Sequence, residues 1–167
     1  MPNMGASEGQ AAGVTPRVRE TWVHEKGLPR TSRDPLVDHL GRRILLATDL
    51  TDASRDVDGR AIELAATARA HLVILAVIPP QAGRDGSHGT RVRALVRRAR
   101  RRGIQAEGRI RVGDPAETIL RVAAATRADA IVIGHDQWRG SAAGGCVCGR
   151  LVLHAPCRVV ICGGTTH

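Results

Sequence analysis

The chain has 167 residues, and its 25 Lys and Arg outnumber its 16 Asp and Glu to give a formal net charge of +9. Hydrophobic residues make up 43% of the sequence, but there is no Phe or Tyr and there are only two Trp, so we expect a core of aliphatic side chains. No apolar run approaches the roughly 18 residues of a membrane span, and no signal-peptide pattern is present, so we expect a cytoplasmic protein that is neither membrane-bound nor secreted.

The first 40 residues differ in composition from the remainder. They mix Gly, Ala, Pro, Thr and charged residues without a sustained period, which predicts a mobile N-terminal tail at 1–40 and a folded domain at 41–164. Within that domain, short apolar runs typical of doubly buried strands alternate with stretches of helical spacing. The predicted strands are 44–47, 72–78, 109–112, 130–133 and 158–162, and the predicted helices are about 53–70, 92–102, 115–126 and 145–154.

Strands that alternate with helices form a parallel sheet joined by right-handed crossovers. We therefore predict an α/β fold: an open, doubly wound, five-stranded parallel sheet with strand order 3-2-1-4-5 and helices on both faces. Ligands of such sheets bind beyond the carboxyl ends of the strands, where the strand order reverses. In this chain that crevice would lie between strands one and four.

Two loops follow the strands that flank the predicted crevice. Asp49 comes directly after strand one and can accept hydrogen bonds from a ribose hydroxyl or an adenine amino group; alternatively, it caps the next helix or binds loop N–H groups. Residues 134–149 are Gly-rich and precede a helix, an arrangement that suits phosphate oxygens. A mobile surface loop is the alternative, because neither a Walker sequence nor G-x-G-x-x-G after strand one is present.

Over roughly 42–163, the sequence resembles the universal stress protein family. This family includes members that bind ATP or AMP and members that do not. The segments that carry the resemblance are ILLATDLTDAS (44–54), GDPAETIL (113–120), ADAIVIG (128–134) and LHAPCRVVI (153–161).

Nucleotide-binding members of that family typically carry G-x2-G-x9-G-[ST] after the fourth strand, and this chain departs from the pattern. Gly134 matches the first Gly, Gln137 stands at the second, and Gly145-Cys146 stands two residues early in place of Gly-[ST]. The thiol is a poorer donor to phosphate than a hydroxyl. By the resemblance, Val77 lies on strand two and lines the adenine site. The resemblance implies a site for ATP or AMP, with Mg²⁺ accompanying ATP, at Ala47, Thr48, Asp49, Val77, Ile133, Gly134, Gly145, Cys146 and Val147.

Other polar and basic features have plainer interpretations. Residues 91–102 are strongly basic, but their apolar residues form one stripe, so we expect salt-sensitive adhesion to polyanions and no specific nucleic-acid binding. The four cysteines lack the paired C-x2-C spacing of zinc sites, so each is treated as a small buried hydrophobe and no metal site is predicted. His135 and Asp136 are interpreted as polar loop residues rather than as groups that act on a bound phosphate.

Two functions remain open from the sequence. One is a regulatory domain that binds an adenine nucleotide, with no assigned catalytic residue and at most weak ATP hydrolysis. The other is an interaction module of the same fold that binds no nucleotide. Trp138 either covers a bound base or packs against a partner. Strand five, at 158–162, is predicted to be an edge strand, and the resemblance implies a homodimer formed through it.

Overall fold

The computed structural model describes residues 22–24, 37, 40–83, 85–138 and 146–163. The predicted apolar runs are strands, and each predicted amphipathic stretch is a helix. The strands are β1 (Trp22–His24), β2 (Arg43–Thr48), β3 (His71–Ile78), β4 (Ala106–Val112), β5 (Ala130–Gly134) and β6 (Arg158–Cys162). The helices are α1 (Arg55–Ala68), α2 (Ser87–Arg101), α3 (Pro115–Thr126) and α4 (Val147–His154), with 3₁₀ turns at Asp52–Ser54 and Pro80–Ala82.

The strands form one parallel sheet in the order β1-β6-β5-β2-β3-β4. Strands β2 to β6 are the five that the sequence predicts, and their arrangement is the predicted order 3-2-1-4-5. The α/β fold class is therefore confirmed. The chain crosses from β4 at one side of the sheet to β5 beside β2, so the strand order reverses between β2 and β5.

Strand β1 extends the sheet beyond the five predicted strands. Trp22 lies opposite Val160 and His24 opposite Cys162, so β1 runs parallel to β6 along its outer side. The prediction that 158–162 is an edge strand is therefore wrong, because backbone pairing with β1 places β6 inside the sheet. Apart from β1, Val37 and Leu40, the segment at 1–40 lies outside the described residues, and its boundary with the domain stays a prediction.

Two apolar layers cover the two faces of the sheet. Successive side chains of a strand point to opposite faces, so Ile44 and Leu46 pack with α1 and α2, whereas Leu45 and Ala47 pack with α3 and α4. All four side chains are fully buried. This two-sided burial explains the continuous apolar runs of the sequence. Among the described residues, none of the helices has both the length and the apolar character needed to cross a bilayer.

Candidate functional site

The crevice opens where β2 and β5 separate. Their described pairing ends at Leu46 opposite Val132, and both strands then continue toward the same edge of the sheet. Beyond Thr48 the chain turns into α1 on one face, and beyond Gly134 it leads to α4 on the other. Ala47 and Ile133 thus lie at the predicted crevice, with Val77 of β3 close by.

Asp49 stands at the rim of the crevice and is half-buried. Its Oδ1 accepts hydrogen bonds from the Thr51 backbone N–H at 3.0 Å and from the Thr51 hydroxyl at 2.8 Å. Asp49 therefore binds a loop N–H, which was the alternative interpretation of this residue, but it does so through only one carboxylate oxygen. No donor in the described part of the chain pairs with Oδ2, so this oxygen is free to accept a hydrogen bond from a ligand.

A buried polar network lies beneath the Asp49 loop. The Thr48 hydroxyl donates to Ser54 Oγ at 3.2 Å and accepts from the Leu50 backbone N–H at 3.1 Å. Ser54 Oγ in turn donates to Thr51 O at 2.8 Å and lies 3.5 Å from Asp58 Oδ2. The network fixes the turn that follows β2, so Thr48 has a structural role in holding this turn.

Asp58 is the ionisable member of the network. Its side chain is buried, and its Oδ1 has no hydrogen-bond partner among the described residues. Burial raises the pKa of Asp58 to about 6, with a smaller upward contribution from Asp49, whereas the neighbouring polar hydroxyls of Thr48 and Ser54 lower it. Ser54 was a candidate helix cap from the sequence, but Asp58 was not found, although the buried residues Ser54, Asp58 and Ile62 follow one another at i, i+4 spacing.

Gln137 stands where the nucleotide-binding pattern has its second glycine, and its side chain folds back onto Gly134. Its Oε1 accepts the Gly134 backbone N–H at 3.1 Å. A Cβ at position 134 would lie 3.1 Å from both Cγ and Cδ of Gln137 and 3.0 Å from Val57 Cγ2, so the glycine permits this close packing. Gln137 thereby takes up the backbone N–H of Gly134, the last residue of β5.

Trp138 packs into its own chain. Its side chain is 8% exposed, and its indole Nε1–H donates to the Val77 backbone carbonyl at 3.3 Å. It belongs to the same buried apolar cluster as Ala47, Val77 and Val147. In this structure the indole occupies the space against Val77, and whether Trp138 covers a bound base or packs against a partner stays a prediction.

Cys146 and Val147 stand at the start of α4, the helix that follows β5 in the chain. Cys146 is the N-cap residue and is exposed, its side chain makes no capping hydrogen bond, and Val147 is buried. Gly145 lies outside the described residues. Cys146 is thus not the buried hydrophobe that was predicted, whereas Cys148 is buried with its Sγ 3.6 Å from Gly134 O. Burial, followed by the nearby Cys146, raises the pKa of Cys148 to about 12, so its thiol stays protonated.

His135 and Asp136 lie at the surface beside the end of β6. His135 Nδ1 is 3.1 Å from Asp136 Oδ1, and the His135 backbone N–H donates to Cys162 O at 2.9 Å. The first contact is local to the turn, and the second continues the pairing of β5 with β6. In the described ranges, no group of three or more His, Cys, Asp or Glu is arranged to hold a metal ion.

The comparisons with known proteins agree on one family. The universal stress protein family model matches residues 41–163. A universal stress protein solved in complex with cAMP is 26% identical with a TM-score of 0.62, and the match covers 74% of this chain and 98% of that one. A family member from Burkholderia pseudomallei is 28% identical with a TM-score of 0.56, covering 73% and 96%.

A third solved structure supports the fold alone. A universal stress protein from Archaeoglobus fulgidus in complex with dAMP is 22% identical with a TM-score of 0.56, and the match covers 73% of this chain and 98% of that one. Comparison with curated protein sequences gave no match. The family match spans nearly all of the predicted domain, and the sheet order agrees with it: this chain belongs to the universal stress protein family.

Proposed function

We propose that this chain is a regulatory domain that binds an adenine nucleotide, ATP or AMP, in the crevice between β2 and β5. The observation that carries the proposal is the Asp49 carboxylate, whose Oδ1 is held by Thr51 while Oδ2 has no partner among the described residues. Oδ2 can accept a hydrogen bond, and a ribose hydroxyl can donate one. The relative solved with cAMP, at 26% identity, adds support because its ligand is an adenine nucleotide.

The remaining site residues have distinct roles in this proposal. The Val77 carbonyl accepts a hydrogen bond from the base, and Ala47 and Ile133 form apolar walls. The backbone of Gly134 and the N-terminal end of α4 at Cys146 face the phosphates, where the helix dipole favours negative charge. Mg²⁺ would arrive with the phosphates of ATP. No catalytic residue is assigned, so the proposed role is regulatory, with at most weak hydrolysis.

Mass spectrometry of small molecules released from freshly purified, denatured protein tests the proposal, together with binding measurements on Asp49→Asn. Asn at position 49 keeps one oxygen for Thr51 but replaces the other with an amide donor, so the turn survives while the ribose contact is lost. We expect at least a tenfold loss of affinity, about 1.4 kcal/mol. Asp52→Asn, an exposed change three residues away, is the matched control. Equal affinity of Asp49→Asn and the unmodified protein would remove Asp49 from the site.

The second candidate is a dimeric interaction module that binds no nucleotide. Gln137 and Trp138 favour it, because both side chains already occupy parts of the crevice. A ligand at 100 times its Kd should stabilise the folded protein by about 2.7 kcal/mol. An empty purified protein whose Tm is unchanged by millimolar ATP and by millimolar AMP would favour this second function.

We also infer that the protein acts as a homodimer through β6 in the cytoplasm. Since β1 pairs with the outer side of β6, such a dimer requires β1 to leave or to exchange between chains. Sedimentation equilibrium of the full chain tests the dimer, and a monomer at all concentrations would contradict it. Cell fractionation tests the location, and recovery outside the cytoplasmic fraction would contradict that inference.

A further inference from the structure

Two consecutive side chains of one turn lie in the two halves of the crevice. Trp138 packs in the apolar cluster that contains Ala47, Val77, Ile133 and Val147, four of the residues predicted to contact a nucleotide. These four are 0–4% exposed. The surface that would receive a base is therefore already covered, and a nucleotide cannot reach it while the indole stays there.

The contacts that Trp138 makes are those expected of a bound base. Indole, like adenine, is a flat fused two-ring system with an N–H donor, and this N–H is directed at the Val77 carbonyl with an Nε1 to O distance of 3.3 Å. A buried indole N–H needs such a partner. This hydrogen bond gives both the indole N–H of Trp138 and the carbonyl of Val77 a partner without a ligand.

Gln137 makes the matching contact on the phosphate side. Its Oε1 accepts the Gly134 N–H at 3.1 Å, as a phosphate oxygen would. Its side chain is 6% exposed, yet its Nε2 has no hydrogen-bond partner among the described residues. A buried amide donor without a partner is unfavourable, so the oxygen of the Gln137 amide is satisfied but its nitrogen is not.

The backbone at Trp138 is also in an unfavourable conformation. Its φ is +56°, in the left-handed region that a bulky residue rarely adopts. A residue held there persists only when its surroundings determine it, and such positions are common in ligand clamps and switches. Release of the turn would relieve both the strained backbone of Trp138 and the unpaired amide of Gln137.

We propose that Gln137 and Trp138 are a resident mimic of the ligand, and that an adenine nucleotide binds by displacing both side chains. This rests on the proposed function, since it concerns the same crevice. The apparent Kd equals the intrinsic Kd divided by the fraction of molecules in the open state. The fraction of molecules in which Gln137 and Trp138 occupy the crevice therefore sets the nucleotide concentration at which the domain responds.

Isothermal titration with AMP on three full-length proteins tests the proposal. Trp138→Gly removes the indole and suits the positive φ, so the turn can stay folded. We expect Trp138→Gly to bind AMP at least tenfold more tightly than the unmodified protein. Trp138→Phe keeps an aromatic ring in the crevice but loses the donor, so its affinity should fall between the two. Trp22→Phe, which removes the other tryptophan, on the outer strand β1, is the control.

A second measurement leaves the crevice unmutated. In Trp22→Phe protein, Trp138 is the single fluorophore, and its burial predicts a blue emission maximum. Saturating AMP should shift the emission to the red and raise acrylamide quenching, because the indole moves into water. Unchanged emission at an AMP concentration that titration shows to be saturating would overturn the proposal.

The outcomes separate this inference from the function on which it rests. If the unmodified protein and Trp138→Gly bind AMP with equal affinity, displacement is wrong and nucleotide binding stands. Weaker binding by Trp138→Gly would also overturn displacement, because the indole would then support the ligand. If neither protein binds AMP or ATP, the proposed function fails and this inference fails with it.

Discussion

Asp58 is the buried ionisable residue beneath the Asp49 turn. Its carboxyl group is buried, with Asp49 and the Arg98 guanidinium as the charged groups that affect its ionisation. Burial raises its pKa from 3.8 to about 6, so the folded state binds more protons than the unfolded state between these values. Stability from this group is therefore greatest below pH 3.8, falls as the pH rises toward 6, and stays low above that.

We predict that Asp58→Asn stabilises the protein at neutral pH. The substitution keeps the shape and removes the ionisation, so the gain should be about 3 kcal/mol at pH 7.5 and about 1 kcal/mol at pH 4.5. Urea unfolding of both proteins at the two pH values measures it. Asp56→Asn, an exposed change on the same helix, is the control. A gain that does not change with pH would show that Asp58 has the same pKa in the folded and unfolded states, and that burial does not raise it.

For individual residues, the sequence predicted where a residue lies in the fold better than which atoms its side chain contacts. Asp49 and Gly134 follow apolar runs, and the ends of neighbouring parallel strands meet at one edge, so their place at the crevice could be deduced. The burial of Trp138 could not, because it depends on a left-handed backbone that no local pattern requires. Gln137 departs from the family pattern in the sequence, but its hydrogen bond to Gly134 depends on how the side chain folds back, which no local pattern indicates.

Elements with strong local signals were predicted almost residue by residue. The Asp-Pro pair predicts the start of α3, and Asp114 Oδ1 accepts the Glu117 N–H at 2.9 Å as an N-cap should. The start of β4 at Ala106 was missed, because 106–108 has no apolar run. Gly108 is there for packing: a Cβ would lie 2.4 Å from Val92 Cγ1 of α2.

We predict a graded loss of stability at the α3 N-cap, which also anchors α4. Arg150 Nη1 lies 2.8 Å from Asp114 Oδ1. Partial burial opposes ionisation of Asp114, but the Glu117 N–H and the Arg150 guanidinium outweigh it and hold its pKa below the usual value. Asp114→Ala should cost about 1–2 kcal/mol, whereas Asp114→Asn keeps the cap acceptor and should cost less.

Guanidinium unfolding at pH 7 measures both variants. The ionic part of the Asp114 contribution is lost as the pH falls through its lowered pKa, so Asp114→Asn should converge with the unmodified protein in acid, whereas Asp114→Ala should stay less stable because it lacks the cap acceptor. Equal losses for the Ala and Asn variants at pH 7 would mean that the charge, rather than the cap, stabilises this junction.

At the scale of the whole molecule, the positive charge is concentrated on one helix. Helix α2 contains no Asp or Glu, and Arg93, Arg97 and Arg101 recur at a spacing of four residues on its exposed side. In the described part of the chain, no acidic side chain forms an ion pair with any of the three. The opposite side of helix α2 is buried in the protein through Val92 and Ala99. We therefore expect this surface to attract polyanions through charge.

We predict that Arg93, Arg97 and Arg101 together account for salt-sensitive binding to DNA without sequence preference. Each phosphate contact releases counterions, so changing all three to Gln should weaken binding equally for unrelated duplexes and reduce the salt slope by about one per residue. Fluorescence anisotropy on two duplexes from 50 to 200 mM salt measures it. Arg121→Gln is the control, because that guanidinium already pairs with Glu117 at 2.6 Å. A variant that lost affinity for one duplex only would reveal base readout, which charge alone cannot provide.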